Sequence, residues 1–299
     1  MTAVAGASPA FRRLRIPTGR VAAKRPGLAA TVGGGLLALI ALACIFVPIF
    51  WHYSAEAIVA PALQGPSLTH PFGTDTVGRD VFVRTFAGGR VDLAVIAIAV
   101  SVSAAIGSLL GVVAASTGRW VDAVVMRTAD AIIAFPFMVL VLAIVLLVGT
   151  DATVWSLPPG LISLLAAIIV TDWAVYARLA RGQTLSLRQR DFVTAARVLG
   201  FSSSRIVVRH LLPNVVSAVG AYMVTDAILA VVTTASLPFL GAGIQPPAPE
   251  WGVIMYGGAT VLQTAWWITL LPGAVLAATA IALSLLADAV LAKIGGALR

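Results

Sequence analysis

Long stretches without any charged side chain dominate this chain and most strongly constrain its fold. Six such runs cover residues 26–55, 93–118, 131–150, 152–171, 227–249 and 251–287. Most of them exceed the roughly 20 apolar residues that an α-helix needs to cross a bilayer. Only 11% of the residues are charged, whereas soluble domains carry roughly a quarter. The sequence therefore predicts an all-α, polytopic membrane protein.

Turn-forming residues divide these runs into six predicted spans, near 28–50, 93–115, 128–149, 161–180, 215–240 and 266–291. The first run is longer than the apolar part of a signal peptide, so a retained helix is expected. Pro136 predicts a kink in the third span because proline removes a backbone hydrogen bond. Gly107 and Gly111 form a small-residue face on the second span, which is typical of close helix packing.

The positions of the basic residues predict the orientation. Seventeen of the 20 Lys and Arg residues fall before the first span, between spans two and three, between spans four and five, or after the last. Only Arg79, Arg84 and Arg90 fall on the other side. The positive-inside bias then places both termini in the cytoplasm. Since the basic excess flanks lipid-spanning segments, no nucleic-acid partner is expected.

A polar, cation-rich segment separates spans four and five. It contains Asp191-Phe-Val-Thr-Ala-Ala-Arg-Val-Leu-Gly200 and continues to Arg209-His-Leu-Leu-Pro-Asn214. This segment resembles the cytoplasmic coupling loop of ABC importer permeases, with the pattern E-A-A, three residues, G, nine residues, I-x-L-P. The matching positions are Thr194, Ala195, Ala196, Gly200, His210, Leu212 and Pro213. The usual glutamate is replaced by Thr194.

Two loops on the opposite side carry further matches. The first, predicted over 51–91, contains His70-Pro-Phe-Gly-Thr-Asp-Thr-Val-Gly-Arg-Asp80. The second, predicted over 241–264, contains Gly241-Ala-Gly-Ile-Gln-Pro-Pro-Ala-Pro-Glu-Trp-Gly252. Both are similar to stretches of the dipeptide, oligopeptide and nickel permease family, and the resemblance extends from about residue 20 to 275. The chain departs from the family at Thr234, where an acidic residue is usual.

The resemblance implies a type I ABC importer permease with six transmembrane helices in the bacterial plasma (inner) membrane. Residues 1–25 would form a cytoplasmic N-terminal segment, and 26–299 a permease domain with its coupling loop at about 181–214. The implied partners are a homologous second permease subunit, two ATP-binding subunits or domains, an extracytoplasmic substrate-binding protein and membrane lipid. ATP hydrolysis would occur in the partners. The cargo would be a peptide or similar small ligand, with nickel chelates and haem left open.

The coupling residues are expected to form a docking surface. Small side chains at Ala195 and Ala196 would let a short helix near 190–199 fit a groove, and Gly200 would end it. Serines 202–204 offer caps for a second helix. The full predicted set is Asp191, Thr194, Ala195, Ala196, Gly200, Arg205, Arg209, His210, Leu212 and Pro213.

Sites of catalysis, metal binding or cofactor binding are not expected. The stretch 73–80 has the glycine spacing of a phosphate-binding loop, but Arg79 and Asp80 replace the required Lys and Ser/Thr. His52, His70 and His210 are isolated in sequence, and His70 is the candidate ligand only if the cargo contains a metal. A lone cysteine, Cys44, excludes intramolecular disulfides.

Carboxylates near the predicted spans leave alternatives open. Asp226 lies halfway along the fifth span and either lines a translocation pathway or bonds a neighbouring helix or subunit. Asp130, Asp172 and Asp288 are predicted nearer helix ends, with structural roles. The alternative function is an ATPase-independent secondary transporter or channel, which predicts broken helices and an ion site near the membrane midplane.

Overall fold

The architecture is described by a computed structural model that covers residues 26–149 and 157–297. The helices are α1 (Pro26–Phe50), α2 (Val81–Ser116), α3 (Arg119–Ile133), α4 (Phe137–Val148), α5 (Leu161–Arg188), α6 (Asp191–Val198), α7 (Ser203–Ile206), α8 (Leu212–Ser236), α9 (Trp251–Ala259) and α10 (Trp267–Ala297). A π-helical turn, Val207–Leu211, joins α7 to α8, and a 3-10 turn, Leu237–Leu240, follows α8. The all-α prediction is confirmed. The predicted N-terminal segment 1–25 lies outside the described residues.

Five helical segments in the described ranges are long and apolar enough to cross a membrane, namely α1, α2, α5, α8 with its flanking turns, and α10. A sixth span exists only if α3 and α4 act as one bent pair. The two helices meet at 96°, so the prediction of a single kinked helix over 128–149 is wrong. Pro136 stands directly before α4, where its missing N–H costs nothing because the first N–H groups of a helix have no internal partner.

The second helix begins twelve residues before its predicted start at 93, because its arginines find carbonyl acceptors inside the protein. Arg84 donates to the Ala55 carbonyl at 2.7 Å. Arg90 donates to the Cys44 carbonyl at 2.6 Å. This carbonyl lacks its usual helix donor because Pro48, four residues later in α1, has no backbone N–H. For the same reason α5 extends past its predicted end at 180 to Arg188. The charged residues that set the predicted ends of these two spans therefore lie inside the helices.

Helices α2 and α5 pack closely along small residues. A Cβ added at Gly111 would collide with the Ala177 carbonyl, and one at Gly107 would collide with the Trp173 carbonyl. Larger side chains would therefore hold the two backbones apart. The predicted packing role of the two glycines is confirmed, and their partner helix is α5.

The two ends of α2 carry different loops. Near Val81, Trp267 donates to the Thr74 carbonyl at 3.1 Å, and Trp251 donates to the Thr85 carbonyl at 2.8 Å. These contacts bring 51–80 and 241–266 to one end of the molecule. At the Ser116 end, Arg188 donates to the Ala115 carbonyl and the chain continues into α6. The glycine-rich loops and the predicted coupling loop therefore lie at opposite ends.

Candidate functional site

The predicted coupling helix exists and ends at the predicted glycine. Asp191 opens α6 and complements the positive end of its dipole. Gly200 has a φ of +79°, and its N–H donates to the Arg197 carbonyl at 2.9 Å. Phe201 then donates to the Ala196 carbonyl at 3.1 Å. This left-handed turn is the usual way to end a helix at glycine.

The segment after the turn re-enters the protein through α7. Ser202 caps this short helix, since its hydroxyl accepts the Arg205 N–H at 3.4 Å. The π-helical turn leads without interruption into α8, where Pro213 occupies the first turn and is exposed. Asn214 donates to the His210 carbonyl at 2.7 Å. The predicted second helix is therefore continuous with the helix of the predicted fifth span.

One face of α6 packs against its own chain. Val193 and Ala196 are buried in a cluster with Ile206 and Leu211. Ala196 is 5% exposed, so it anchors α6 and cannot present itself to another protein. The expectation that Ala196 lies on the docking surface is corrected by this burial. A large residue there would disrupt the internal cluster before it could touch a partner.

The opposite face of α6 is apolar and uncovered. Val198 is 83% exposed and Leu199 is 72% exposed. Phe192 is 43% exposed, and Thr194 and Ala195 are also exposed. We call these five residues the α6 face. Contiguous apolar surface that is left uncovered usually marks an interaction site.

Basic residues surround the α6 face. Arg205 and Arg209 are exposed on the returning segment, and the Arg205 guanidinium lies over the Phe201 ring at 4.4 Å from its centroid. His210 stacks on the same ring with centroids 6.1 Å apart and is half-buried. Sequence reasoning missed Phe192, Val198 and Leu199, although the apolar periodicity of an eight-residue helix could have indicated them.

Asp226 is buried between helices. It is 4% exposed and accepts a hydrogen bond from the Tyr176 hydroxyl of α5 at 2.8 Å. Tyr222, one turn before it, packs edge-on against the Tyr176 ring at 5.2 Å. This geometry favours the bond to a neighbouring helix over the pathway role. The pathway role stays a prediction.

The other carboxylates divide into two kinds. Asp130 pairs with Arg178 at 2.5 Å, and both side chains are more than half exposed, as expected for a structural pair. Asp172 lies in the interior of α5, not near its end, and is 6% exposed. The prediction of an end-of-helix position for Asp172 is therefore wrong. Because α5 begins eleven residues earlier and continues well beyond it, Asp172 lies deep in the span.

The stretch 73–80 forms a structural cap at the start of α2. Asp80 accepts the Val83 N–H at 2.9 Å and pairs with His70 at 2.7 Å. Asp75 pairs with Arg79 at 2.7 Å and with Arg84 at 3.7 Å. These hydrogen bonds and ion pairs engage the side chains that would otherwise bind a phosphate or a metal. Within the described ranges, no group of three or more metal-ligating side chains occurs.

Comparison with known proteins gives one family and several relatives. Residues 107–298 match the family described as binding-protein-dependent transport system inner membrane component. The chain is 36% identical over 237 residues to the dipeptide transport system permease protein DppC of Alkalihalophilus pseudofirmus, across 79% of this chain and 75% of that protein. It is 37% identical over 225 residues to a putative peptide permease protein of Brucella suis, across 75% and 72%. It is also 37% identical over 192 residues to the glutathione transport system permease protein GsiD of Escherichia coli, across 64% and 60%.

Proposed function

The chain belongs to the family of binding-protein-dependent transport system inner membrane components, and we propose that it imports peptides or chemically related small ligands. It is a multi-pass membrane protein and a permease subunit of an ABC importer, so the family resemblance read from the sequence is confirmed. Two of the relatives reported above are named as dipeptide and peptide permeases, and a third as a glutathione permease. Dipeptides and glutathione share peptide bonds and free termini, which motivates the proposed cargo class.

The proposed partners are a homologous permease, two ATP-binding subunits or domains, and an extracytoplasmic binding protein. The observation that carries the ATPase part is the α6 face, which leaves Val198 and Leu199 uncovered beside a basic rim. An apolar patch on a water-facing loop is expected to be covered in the working complex. Movement of an ATPase against this face would be transmitted through α7 to α8 and rock the spans between two access states.

The alternative is transport without ATPases. One structural observation favours it, since the bent pair α3 and α4 is the kind of broken helix that secondary transporters use. Membership of the importer family and the exposed α6 face favour the ATP-driven function. Isolation of the complex with a bound ATPase would separate the two functions.

The coupling role predicts that a charge on the α6 face weakens ATPase docking. In Leu199→Glu, docking would bury an unpaired carboxylate, so we expect less retained ATPase and a loss of cargo-stimulated hydrolysis. Truncating or mispairing a buried charge typically costs roughly 2–5 kcal/mol in binding. The measurement is ATPase retention after affinity purification of the permease.

Two controls make this test specific. Leu68→Glu introduces the same charge on a fully exposed side chain at the opposite end of the molecule, so retention should be unchanged. Gly200→Asn should be tolerated better than Gly200→Val, because asparagine adopts the left-handed conformation of residue 200 more easily. Wild-type retention and hydrolysis in both Leu199→Glu and Gly200→Val would contradict the coupling role.

A further inference from the structure

A cavity of about 100 Å³ lies where α3 and α4 separate. Its walls come from the end of α3, the start of α4 and the middle of α5, including Ile133, Phe135 and Val175. Phe135 and Ile133 are exposed at its rim, so the cavity opens to the outside of this chain. Asp172 is the one ionisable side chain among its lining residues.

Among residues 26–149 and 157–297, no basic side chain pairs with the Asp172 carboxyl group, which is 6% exposed. Its polar neighbour is the Thr171 hydroxyl. The adjacent Thr171 hydroxyl lies 2.9 Å from the Ala167 carbonyl and 3.0 Å from that of Ile168. Asp226, on the facing helix, has the same charge and takes the Tyr176 hydroxyl. An isolated buried carboxylate is costly unless a cation joins it.

The broken helix places two helix ends at the cavity. Helix α3 ends at Ile133, and Ile132 and Ile133 line the cavity. The C-terminal end of a helix carries partial negative charge from carbonyls without internal partners. Half-helix ends of this kind coordinate cations at breaks in transporter helices. The end of α3 and the Asp172 carboxyl therefore face one space, which Phe137 at the positive start of α4 also lines. Because the two helix ends oppose each other in charge, the preference for a cation rests on Asp172.

We propose that this cavity is a cation subsite in which Asp172 binds a primary ammonium group of the imported ligand. This inference rests on the import function proposed above. Unblocked peptides carry an α-amino group that is largely protonated at neutral pH, since its usual pKa is about 7.7–8.0. The volume is several times the roughly 10–15 Å³ that a single water needs, so an ammonium group with its carbon fits. The surrounding apolar walls strengthen a charge pair by lowering the local dielectric.

The first experiment measures occupancy without transport. The purified complex is treated with dicyclohexylcarbodiimide, which modifies carboxyl groups in apolar surroundings, and Asp172 is followed by mass spectrometry. Methylammonium chloride is expected to keep Asp172 unmodified, with neither the carbodiimide adduct nor the methylamide that an activated carboxyl group would form with the amine, whereas sodium chloride and choline chloride at equal ionic strength leave the modification unchanged. Asp130, which is exposed and paired with Arg178, serves as the internal control.

Three results of this labelling would overturn the proposal. Equal protection by sodium would assign the cavity to an inorganic ion. Modification that methylammonium does not reduce would show that no ammonium group binds there. An Asp172 that never reacts in the assembled complex would show that the cavity is closed when the subunits meet.

The second experiment compares uptake of dialanine and N-acetyl-dialanine by reconstituted complexes. Asp172→Asn should lower dialanine uptake about tenfold or more, as expected for loss of a desolvated charge pair, and leave any acetylated-peptide uptake unchanged. Asp130→Asn should transport both like wild type. Release of the sister permease from the Asp172→Asn complex would make the site an intersubunit contact and overturn the proposal.

A failure of the peptide function is distinguishable from a failure of this site. Wild-type complexes that retain their ATPase but import no dialanine would contradict peptide import as proposed. The methylammonium protection of Asp172 would then decide the cation subsite alone, because it does not depend on transport.

Discussion

Glu250 shows how one buried carboxyl group can organise a loop outside the spans. Its two oxygens accept the N–H groups of Gly252 at 2.7 Å and Val253 at 2.8 Å and so cap α9. The side chain has no solvent exposure and lies beside Asp92. Asp92 accepts the Trp251 N–H at 3.0 Å, while its other oxygen is buried without a donor. A proton shared by the two carboxyl groups would satisfy that oxygen.

This arrangement predicts a pH-dependent contribution to stability. Burial raises the pKa of Glu250 above its usual value, although the backbone hydrogen bonds of Gly252 and Val253 oppose the shift. A raised folded-state pKa gives stability that is complete below the unfolded pKa, about 4.3 for glutamate, and is lost as pH rises through the folded value. We therefore expect the melting temperature of the wild type, relative to Glu250→Gln, to fall as the pH rises above about 4.3.

Thermal unfolding of the solubilised complex at several pH values checks this prediction. Glu56→Gln is the matched control, because Glu56 is exposed on the same side of the molecule, and its difference from wild type should stay close to constant. A melting-temperature difference between wild type and Glu250→Gln that does not vary with pH would mean that Glu250 keeps its charge throughout.

Side-chain hydrogen bonds could be predicted from the sequence only where the two partners lie a few residues apart in the chain. Asp80 precedes α2 and caps it through Val83, three residues away, which matches the known preference for aspartate at that position. By contrast, Tyr176 and Asp226 are fifty residues apart, and neither carries a pattern that indicates the other. Their contact depends on how α5 and α8 cross, which a single sequence does not specify.

At the scale of elements, the packing of α2 on α5 depends on the absence of side chains at Gly107 and Gly111. Without a hydrophobic driving force between helices in lipid, close backbone approach supplies much of the association energy through van der Waals contact. The clashes that a Cβ would meet are with backbone carbonyls of Trp173 and Ala177, which cannot turn aside as a flexible side chain can.

Gly111→Ala is therefore expected to destabilise the protein by roughly 1–3 kcal/mol through overpacking. Gly182→Ala is the matched control, since Gly182 also lies within a helix and a Cβ there meets nothing within 4 Å. That control should be neutral or stabilising by roughly 0.5–1 kcal/mol, because alanine loses less backbone entropy than glycine. The unfolding of both variants in detergent gives the comparison, and equal stabilities would argue against tight α2–α5 packing.

Elements with strong local signals were predicted well, and those decided by tertiary contacts were not. Helix α6 and its end at Gly200 follow from small residues and a glycine with positive φ. Helix α9 escaped prediction because it is nine residues long, follows a proline-rich stretch and is capped by Glu250, which is not among the preferred capping residues. The 96° break at Pro136 was expected only as a kink, since proline alone does not determine the angle.

At the scale of the whole molecule, α2 spans the distance between the end with the glycine-rich loops and the end with the α6 region. Its 36 residues correspond to about 54 Å at 1.5 Å per residue, more than the roughly 40–45 Å of a complete bilayer. The loop 51–80 meets the start of α2, and the α6 region lies beyond its end. Because α1 and α10 both connect to the first of these ends, their other ends lie on the α6 side.

This arrangement, together with the Lys and Arg distribution, predicts that Thr69 faces outward and Ser203 faces the cytoplasm. Both side chains are exposed, so single cysteines there should react with a membrane-impermeant maleimide from opposite sides. Cys44 is 1% exposed and packs from α1 against Gly89, beside Trp251, so Cys44→Ala removes the background thiol at a small packing cost. In intact cells Thr69→Cys should be labelled at once, and Ser203→Cys only after the membrane is opened. Labelling of both positions from the same side would require an even number of crossings between them, and α3 with α4 would then not act as a single span.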